Sequence, residues 1–400
     1  MNQKIPTQRP PQRQPQRPTP TPSAPQTVSP KYGRAFGILM ITTVALLLIS
    51  LIVLGVVLCV GGLESSSDKS PVEENDDRGE TTKKPTSTPS GIKQKTNITL
   101  PCVNTAKPSY SLNTAVAISD ADRIESHAAV LVDVTNGRAV AAKKGGEKIY
   151  PASMTKVMTL LVACEKATDP TALLTVTEEM TARYQSFCKP GEAEPSIATA
   201  WKTGDQVTVE DALHLVIYKS DTYACWLLAE HIAGSEAAFV QLMNERAAGL
   251  GIGASTHFEN CTGLYHDNHY TTCIDMATIM AAAMQNATAK KVLTARDPYI
   301  FDLYIGGTKT SSVSMYSGWY TARLEKYPYG KAAAYYAGNG SSIRLIAGKT
   351  GYETVPKYCF VTAGEHDEKG TVYVCVQVGA DSPKASTDDT REIYQKFAKN

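Results

Sequence analysis

The fold turns on Tyr150-Pro151-Ala152-Ser153-Met154-Thr155-Lys156-Val157-Met158-Thr159-Leu160-Leu161-Val162-Ala163. Pro151 precedes the first turn, and the apolar run after it meets no breaker before Asp169-Pro170. That pattern predicts a loop turning into a helix. A helix opening near Ser153 puts Ser153 and Lys156, three apart, on one face. A serine hydroxyl becomes a competent nucleophile when a neighbouring base takes its proton, and a desolvated lysine amine is such a base. The helix N-terminus also aims unpaired backbone N–H groups at the place where an oxyanion would form.

Ser-x-x-Lys alone is a weak signal, because an ordinary helix start can spell it. It recurs at Ser66 to Lys69, Ser90 to Lys93 and Ser186 to Lys189. The first two lie in polar, proline-studded sequence without a helical period. The third runs into Pro190-Gly191, which cannot continue a helix. Only Ser153 opens a long apolar helix.

With 400 residues, a core plus appendages is expected. Residues 1–34 are rich in Pro, Gln, Thr and Arg and hold no acidic residue, a composition that predicts a disordered tail. The tail carries Lys4, Arg9, Arg13, Arg17, Lys31 and Arg34, so a net charge of +1 for the whole chain leaves −5 on the remainder. That balance argues against a nucleic-acid partner. Residues 35–63 are uncharged and dominated by Leu, Ile and Val, enough to cross a hydrocarbon layer of about 30 Å as a helix. Basic residues before it and Glu64, Asp68, Glu73, Glu74, Asp76 and Asp77 after it predict a signal anchor, with the tail in the cytoplasm and the rest outside. A cleaved signal peptide has a shorter apolar region, and a lipid on Cys59 would normally follow a smaller residue than Leu58. Residues 64–113 read as a disordered extracellular linker, spanning roughly 40 Å on average and at most roughly 150 Å if extended.

From residue 114 the chain reads as globular. Ala128 to Val134 and Arg138 to Ala142 form strands joined by Thr135-Asn136-Gly137. Thr208, Ser235 and Thr272 are expected helix caps, and Gly234 a helix stop. Ile343 to Ala347, Tyr358 to Ala363 and Val372 to Val378 are further strands, ahead of a closing helix around Ile393, Tyr394 and Phe397. The expected architecture is therefore α+β: an antiparallel five-stranded sheet assembled from both ends of the domain, flanked by helices and a helical lobe.

Two further stretches carry chemistry. Lys349-Thr350-Gly351 follows the strand Ile343 to Ala347. A lysine and a hydroxyl on an edge strand, with a glycine allowing close approach, make a site for a carboxylate and an extended substrate. The copy at Lys202-Thr203-Gly204 leads into Asp205 and a capped helix and reads as a turn. Ser220, in Lys219-Ser220-Asp221-Thr222, lies between two helices. A hydroxyl there is most often an N-cap, but opposite Ser153 and Lys156 it could relay a proton.

Ser-x-x-Lys, a central Ser-Asp and Lys-Thr-Gly, in that order, resemble the penicillin-recognising serine enzymes. The flanks Pro151 to Lys156, Leu228 to Ser235, His269 to Thr272 and Gly348 to Tyr352 are similar to the low-molecular-weight penicillin-binding proteins, the serine-type D-alanyl-D-alanine carboxypeptidases. The resemblance covers roughly residues 128–380. It implies a β-lactamase/transpeptidase-like fold and removal of the terminal D-alanine from peptidoglycan stem peptides through an acyl-enzyme, with β-lactams as covalent inhibitors. It further implies Ser153 as nucleophile, Lys156 as base, Ser220 as relay, and Lys349 with Thr350 as the carboxylate clamp. The N–H groups of Ser153 and Tyr352 would form the oxyanion hole. A Gram-positive-type bacterial surface is the implied setting. In the family an asparagine ends the central motif; here that position is Thr222, a shorter side chain whose loss of one contact would cost about 1–3 kcal/mol. Gly306 to Ser342 reads as a divergent, Tyr-rich insertion, and the second β-rich domain of many relatives is not expected.

Of nine cysteines, Cys59 falls in the apolar span, Cys164 and Cys225 read as core thiols, and Cys359 with Cys375 is a candidate bridge between successive strands. No metal or cofactor is expected, His231, His257, His266 and His269 being scattered. Asn97, Asn260 and Asn286 begin glycosylation sequons without meaning in a bacterial wall enzyme. The rival readings are a β-lactam-binding sensor acylated without turnover, which Thr222 keeps open, a β-lactamase, and a structural wall protein.

Overall fold

The structure, a computed structural model, describes residues 98–103, 105, 107–189, 194–295, 298–319, 337 and 341–398. The expected tail, the apolar span 35–63 and most of the linker lie outside them. Among the described residues no helix is long and apolar enough to cross a membrane.

In chain order the elements are β1 (Val116–Ala117), β2 (Ala128–Asp133), β3 (Arg138–Lys143), α1 (Lys156–Lys166), β4 (Leu173–Thr175), α2 (Glu178–Phe187) and β5 (Asp205–Thr208). Then follow α3 (Val209–Tyr218), α4 (Thr222–Ala233), α5 (Glu236–Gly249), α6 (Cys273–Gln285), α7 (Ala287–Thr294), β6 (Tyr299–Ile305) and β7 (Thr308–Met315). The last are β8 (Ile343–Glu353), β9 (Lys357–His366), β10 (Val372–Ala380) and α8 (Pro383–Phe397). The main sheet runs β1-β3-β2-β10-β9-β8. Its antiparallel strands are the five expected. The sixth, two-residue β1 pairs parallel with β3, too short a segment to leave a periodic signal. All of β2 is buried, which requires cover on both faces, and α6 and α8 each pack against it. The C-terminal helix is tied to the start of β2, where the Asp389 carboxylate accepts from the backbone N–H groups of Glu125 (3.1 Å) and Ser126 (2.7 Å).

The second lobe is built on α1. Residues Lys156 to Cys164 are all buried, and α1 touches α3, α4, α5 and α6. Each large aliphatic side chain buried there contributes about 1.5–3 kcal/mol. The surrounding helices start where short polar side chains accept from the third backbone N–H inward: Thr208, Asp221, Ser235 and Thr272.

Four expectations need correction. A separate sheet, β4-β5-β6-β7, occupies the lobe. Its β6–β7 hairpin includes the start of the stretch read as an insertion. Tertiary bonds explain what local sequence did not: Tyr299 donates to Asp211 at 2.6 Å, and its ring stacks on His214 at 3.9 Å. Part of the stretch read as linker is packed, since Ile98 is buried, the Cys102 N–H donates to the Cys164 carbonyl at 2.8 Å and Thr288 donates to the Thr99 carbonyl at 2.7 Å. Cys359 and Cys375 are both free thiols. The β9–β10 register sets Cys375 opposite Thr362 and Cys359 opposite Val378, because the turn centres later than Asp367. Finally, Ser153 lies not in an α-turn but in a 3₁₀ turn, Ala152–Thr155, ahead of α1.

Candidate active site

That 3₁₀ turn sharpens the pairing, because side chains three apart eclipse one another in this geometry. Lys156, 2% exposed, donates from Nζ to Ser153 Oγ at 3.2 Å and to the Thr262 carbonyl. The residue before the serine, Ala152, has φ +46°, a left-handed conformation uncommon outside glycine. Ser220 has φ +57°. Strain of this kind persists where surrounding structure over-determines it.

At Ala152 the packing is visible. Gly263, φ +82°, passes so close that a Cβ there would sit 2.0 Å from the Ala152 carbonyl oxygen. On the opposite side, a Cβ on Gly351 would meet Ser153 N at 3.3 Å. The turn is thus held between the 260–264 loop and edge strand β8. Asn260 organises that loop, its side-chain oxygen accepting from the N–H of Gly263 at 2.7 Å and from Thr262 Oγ1 at 3.0 Å, while Thr159 of α1 donates to the Cys261 carbonyl at 2.7 Å.

Strand β8 supplies the second cation. Lys349, 1% exposed, donates to Ser220 Oγ at 3.0 Å and to the Thr350 carbonyl at 2.8 Å. Ser220 is no N-cap; Asp221 is, accepting from Ala224 N at 2.7 Å. The buried Asp221 carboxylate also accepts from Trp201 Nε1 at 3.0 Å and from the N–H of Ala198. Burial pushes its pKa up against these donors. Asp221 thereby fastens the segment 194–201 beside Ser220. Ser153, Lys156, Ser220, Thr350, Gly351 and Tyr352 all line one cleft of about 170 Å³. Two hydroxyls and two lysine side chains thus converge where an edge strand is open to an extended peptide.

Against known families, the profile described as D-alanyl-D-alanine carboxypeptidase matches residues 114–381. The chain belongs to that family. It is 29% identical over 272 residues to the D-alanyl-D-alanine carboxypeptidase DacF of Bacillus subtilis, covering 65% of this chain and 59% of that one. It is 31% identical over 182 residues to DacA of Escherichia coli, covering 44% and 43%. The chain thus spans less than two thirds of the length of these curated relatives. In fold it is similar to the Streptomyces K15 DD-transpeptidase, with a TM-score of 0.56 at 21% identity over 68% of this chain and 96% of that one.

Thr222 stands where the family pattern has an asparagine. It is 1% exposed, like Lys349, and its N–H donates to the Ser196 carbonyl at 2.9 Å. With Asp221 as cap, Thr222 becomes the first residue of α4 and is drawn into the lobe. Glu194, Pro195 and Ser196 line the cleft beside it.

Sequence reasoning also missed residues that shape the site without being reactive. Thr262 and Gly263 lie in an Asn-x-Thr-Gly turn whose asparagine was read only as a sequon; the glycine beside it was the available signal. His269 was read as scattered, yet it packs beneath the nucleophile turn. The Glu259 N–H donates to its Nδ1 at 3.3 Å, so its Nε2–H is the donor to Thr155 Oγ1 at 2.9 Å. Burial holds its pKa down at about 3, keeping the ring neutral. Glu353, at the end of β8, lines the cleft, and burial raises its pKa while the nearby Lys156 charge partly opposes the rise. Among the described residues no group of three or more His, Cys, Asp or Glu is placed to hold a metal ion.

Proposed function

We propose that this chain is a membrane-anchored serine D,D-carboxypeptidase that removes the terminal D-alanine from peptidoglycan stem peptides on the outer face of a bacterial cell. The observation that carries the reading is the convergence in one cleft of Ser153 with Lys156 at 3.2 Å and of Ser220 with Lys349 at 3.0 Å. Lys349 and Thr350 receive the terminal carboxylate, setting the scissile carbonyl over Ser153. The Lys156 amine, in its neutral form, takes the Ser153 proton as Oγ attacks, and the N–H groups of Ser153 and Tyr352 stabilise the oxyanion. Ser220 passes the proton to the departing D-alanine amine. Water then hydrolyses the acyl-enzyme on Ser153. A β-lactam, which mimics the dipeptide, acylates the same oxygen. The uncharged stretch 35–63 and its flanking charges support the anchor and its orientation.

The test is to incubate the full chain with a fluorescent penicillin and, separately, with a diacyl peptide ending in D-Ala-D-Ala. Label on Ser153 together with released D-alanine is the expected outcome. Stable label without release would mark a sensor, and rapid loss of label a β-lactamase. An unlabelled Ser153 sinks all three.

A further inference from the structure

The atoms that fasten the start of the globular part to α1 also bring two thiols together. Cys164 lies in the last turn of α1, where backbone carbonyls have no partner within the helix. Its carbonyl accepts from the Cys102 N–H at 2.8 Å. The Cys102 carbonyl accepts from the Asn286 side-chain amide, and the Thr99 carbonyl from Thr288 Oγ1 at 2.7 Å. Asn286 is itself fixed, its side-chain oxygen capping α7 through the N–H of Ala289 at 2.9 Å. Bonds to α1 and to the α6–α7 junction thus hold residues 99–102 in place.

A backbone hydrogen bond of that length leaves the two Cα atoms roughly 4.5–6 Å apart, within the separation a disulfide spans. The thiols are near enough for Cys102 to add to the burial that pushes the Cys164 pKa up. They differ in access, Cys164 being buried and Cys102 half-buried. The other neighbouring cysteines, Cys225 with Cys261 and Cys273 with Cys375, are buried on both sides, where a disulfide donor has no approach. We propose that Cys102 and Cys164 are a modification site, closed as a disulfide by thiol–disulfide exchange at the cell surface. The Cys102 thiolate attacks one sulfur of a donor disulfide, expels the other as a thiolate and is left in a mixed disulfide. The Cys164 sulfur then attacks Cys102, and its proton passes to the second departing donor thiolate. Two thiols of this chain are oxidised, and one donor disulfide is reduced to two thiols. The bond closes a loop of about 60 residues and joins the segment leading from the anchor to the far end of the helix that Ser153 precedes. The oxidising setting, though not the geometry, rests on the outward placement of the domain proposed above.

The experiment equilibrates the purified full chain with oxidised glutathione or with a dithiol reductant, then alkylates it under denaturing, non-reducing conditions and digests it. After oxidation, a linked Cys102–Cys164 peptide, two hydrogens lighter than its separate parts, is expected. The dithiol should free both thiols and lower the thermal unfolding midpoint of the wild type by about 5–10 °C, a shift absent from Cys102→Ser. Alkylation of Cys102 or Cys164 after oxidation, glutathione retained on Cys102 alone, or either cysteine joined to a different one overturns the proposal. So does a wild-type midpoint that reduction moves by less than about 1 °C. None of these readouts uses catalysis, so such a failure leaves the hydrolase reading standing.

Discussion

Gly263→Ala should disable the nucleophile without touching any reactive atom. A Cβ at this position would lie 2.0 Å from the Ala152 oxygen and 2.5 Å from the Ala152 carbonyl carbon, well over 1 Å inside ordinary contact. Neither side can yield separately. The loop is held by Asn260 and by Lys156 on the Thr262 carbonyl, and Ala152 is backed by Gly351 of β8. Relief of the clash therefore moves Ser153 relative to Lys156. A displacement of about 1 Å in a reacting group costs about a hundredfold in rate. The left-handed φ of +82° adds about 1–2 kcal/mol of destabilisation for any side chain. The assay is the rate of fluorescent-penicillin acylation beside thermal unfolding. Gly370→Ala is the control, since its φ of +65° imposes the backbone cost while no atom lies within 4 Å of the added methyl. The expectation is acylation slowed by about a hundredfold or more in Gly263→Ala and unchanged in Gly370→Ala. A folded Gly263→Ala that acylates within about threefold of wild type would refute the claim that this loop sets the serine.

His269 makes stability depend on pH. Its folded pKa is about 3 against 6.5 for an unburied ring, so below 6.5 the unfolded chain takes up a proton that the folded one refuses. The stability present above pH 6.5 should fall by about 2–3 kcal/mol by about pH 4.5; His269→Gln, which keeps both hydrogen-bonding roles, should flatten that slope in urea titrations, and an unchanged slope would show the ring is not responsible. Asp221→Ala removes a cap and orphans the N–H groups of Trp201 and Ala198, for an expected loss of about 3 kcal/mol, with Asp221→Asn losing less. A loss under about 0.5 kcal/mol for the alanine variant would contradict that role. Alkylation under denaturing, non-reducing conditions should modify Cys359 and Cys375 fully; recovery of either only after reduction would revise the β9–β10 register.

The elements legible beforehand were those written in local terms. The α1 period, the caps at Thr208, Ser235 and Thr272, and the five antiparallel strands all appear where side-chain periodicity and short polar residues place them. So does the turn at Lys202-Thr203-Gly204, where Gly204 has φ +91°. The larger misses come from partners distant in sequence, the smaller ones from local turn geometry. The β6–β7 hairpin depends on Asp211 and His214, some ninety positions earlier, and the Cys359–Cys375 pairing failed on the length of one turn.

The order of Ser153, Lys156, Ser220 and Lys349 along the chain, the helix that Ser153 precedes and the strand that carries Lys349 follow from sequence alone, because nearest-neighbour geometry dictates them. Only tertiary structure decided which atoms face the cleft. The Thr262 carbonyl and Gly263 enter the site through contacts across about a hundred residues, with Lys156 and Ala152. Local periodicity says which face of an element a residue occupies. The packing of separate elements against one another says what that face meets.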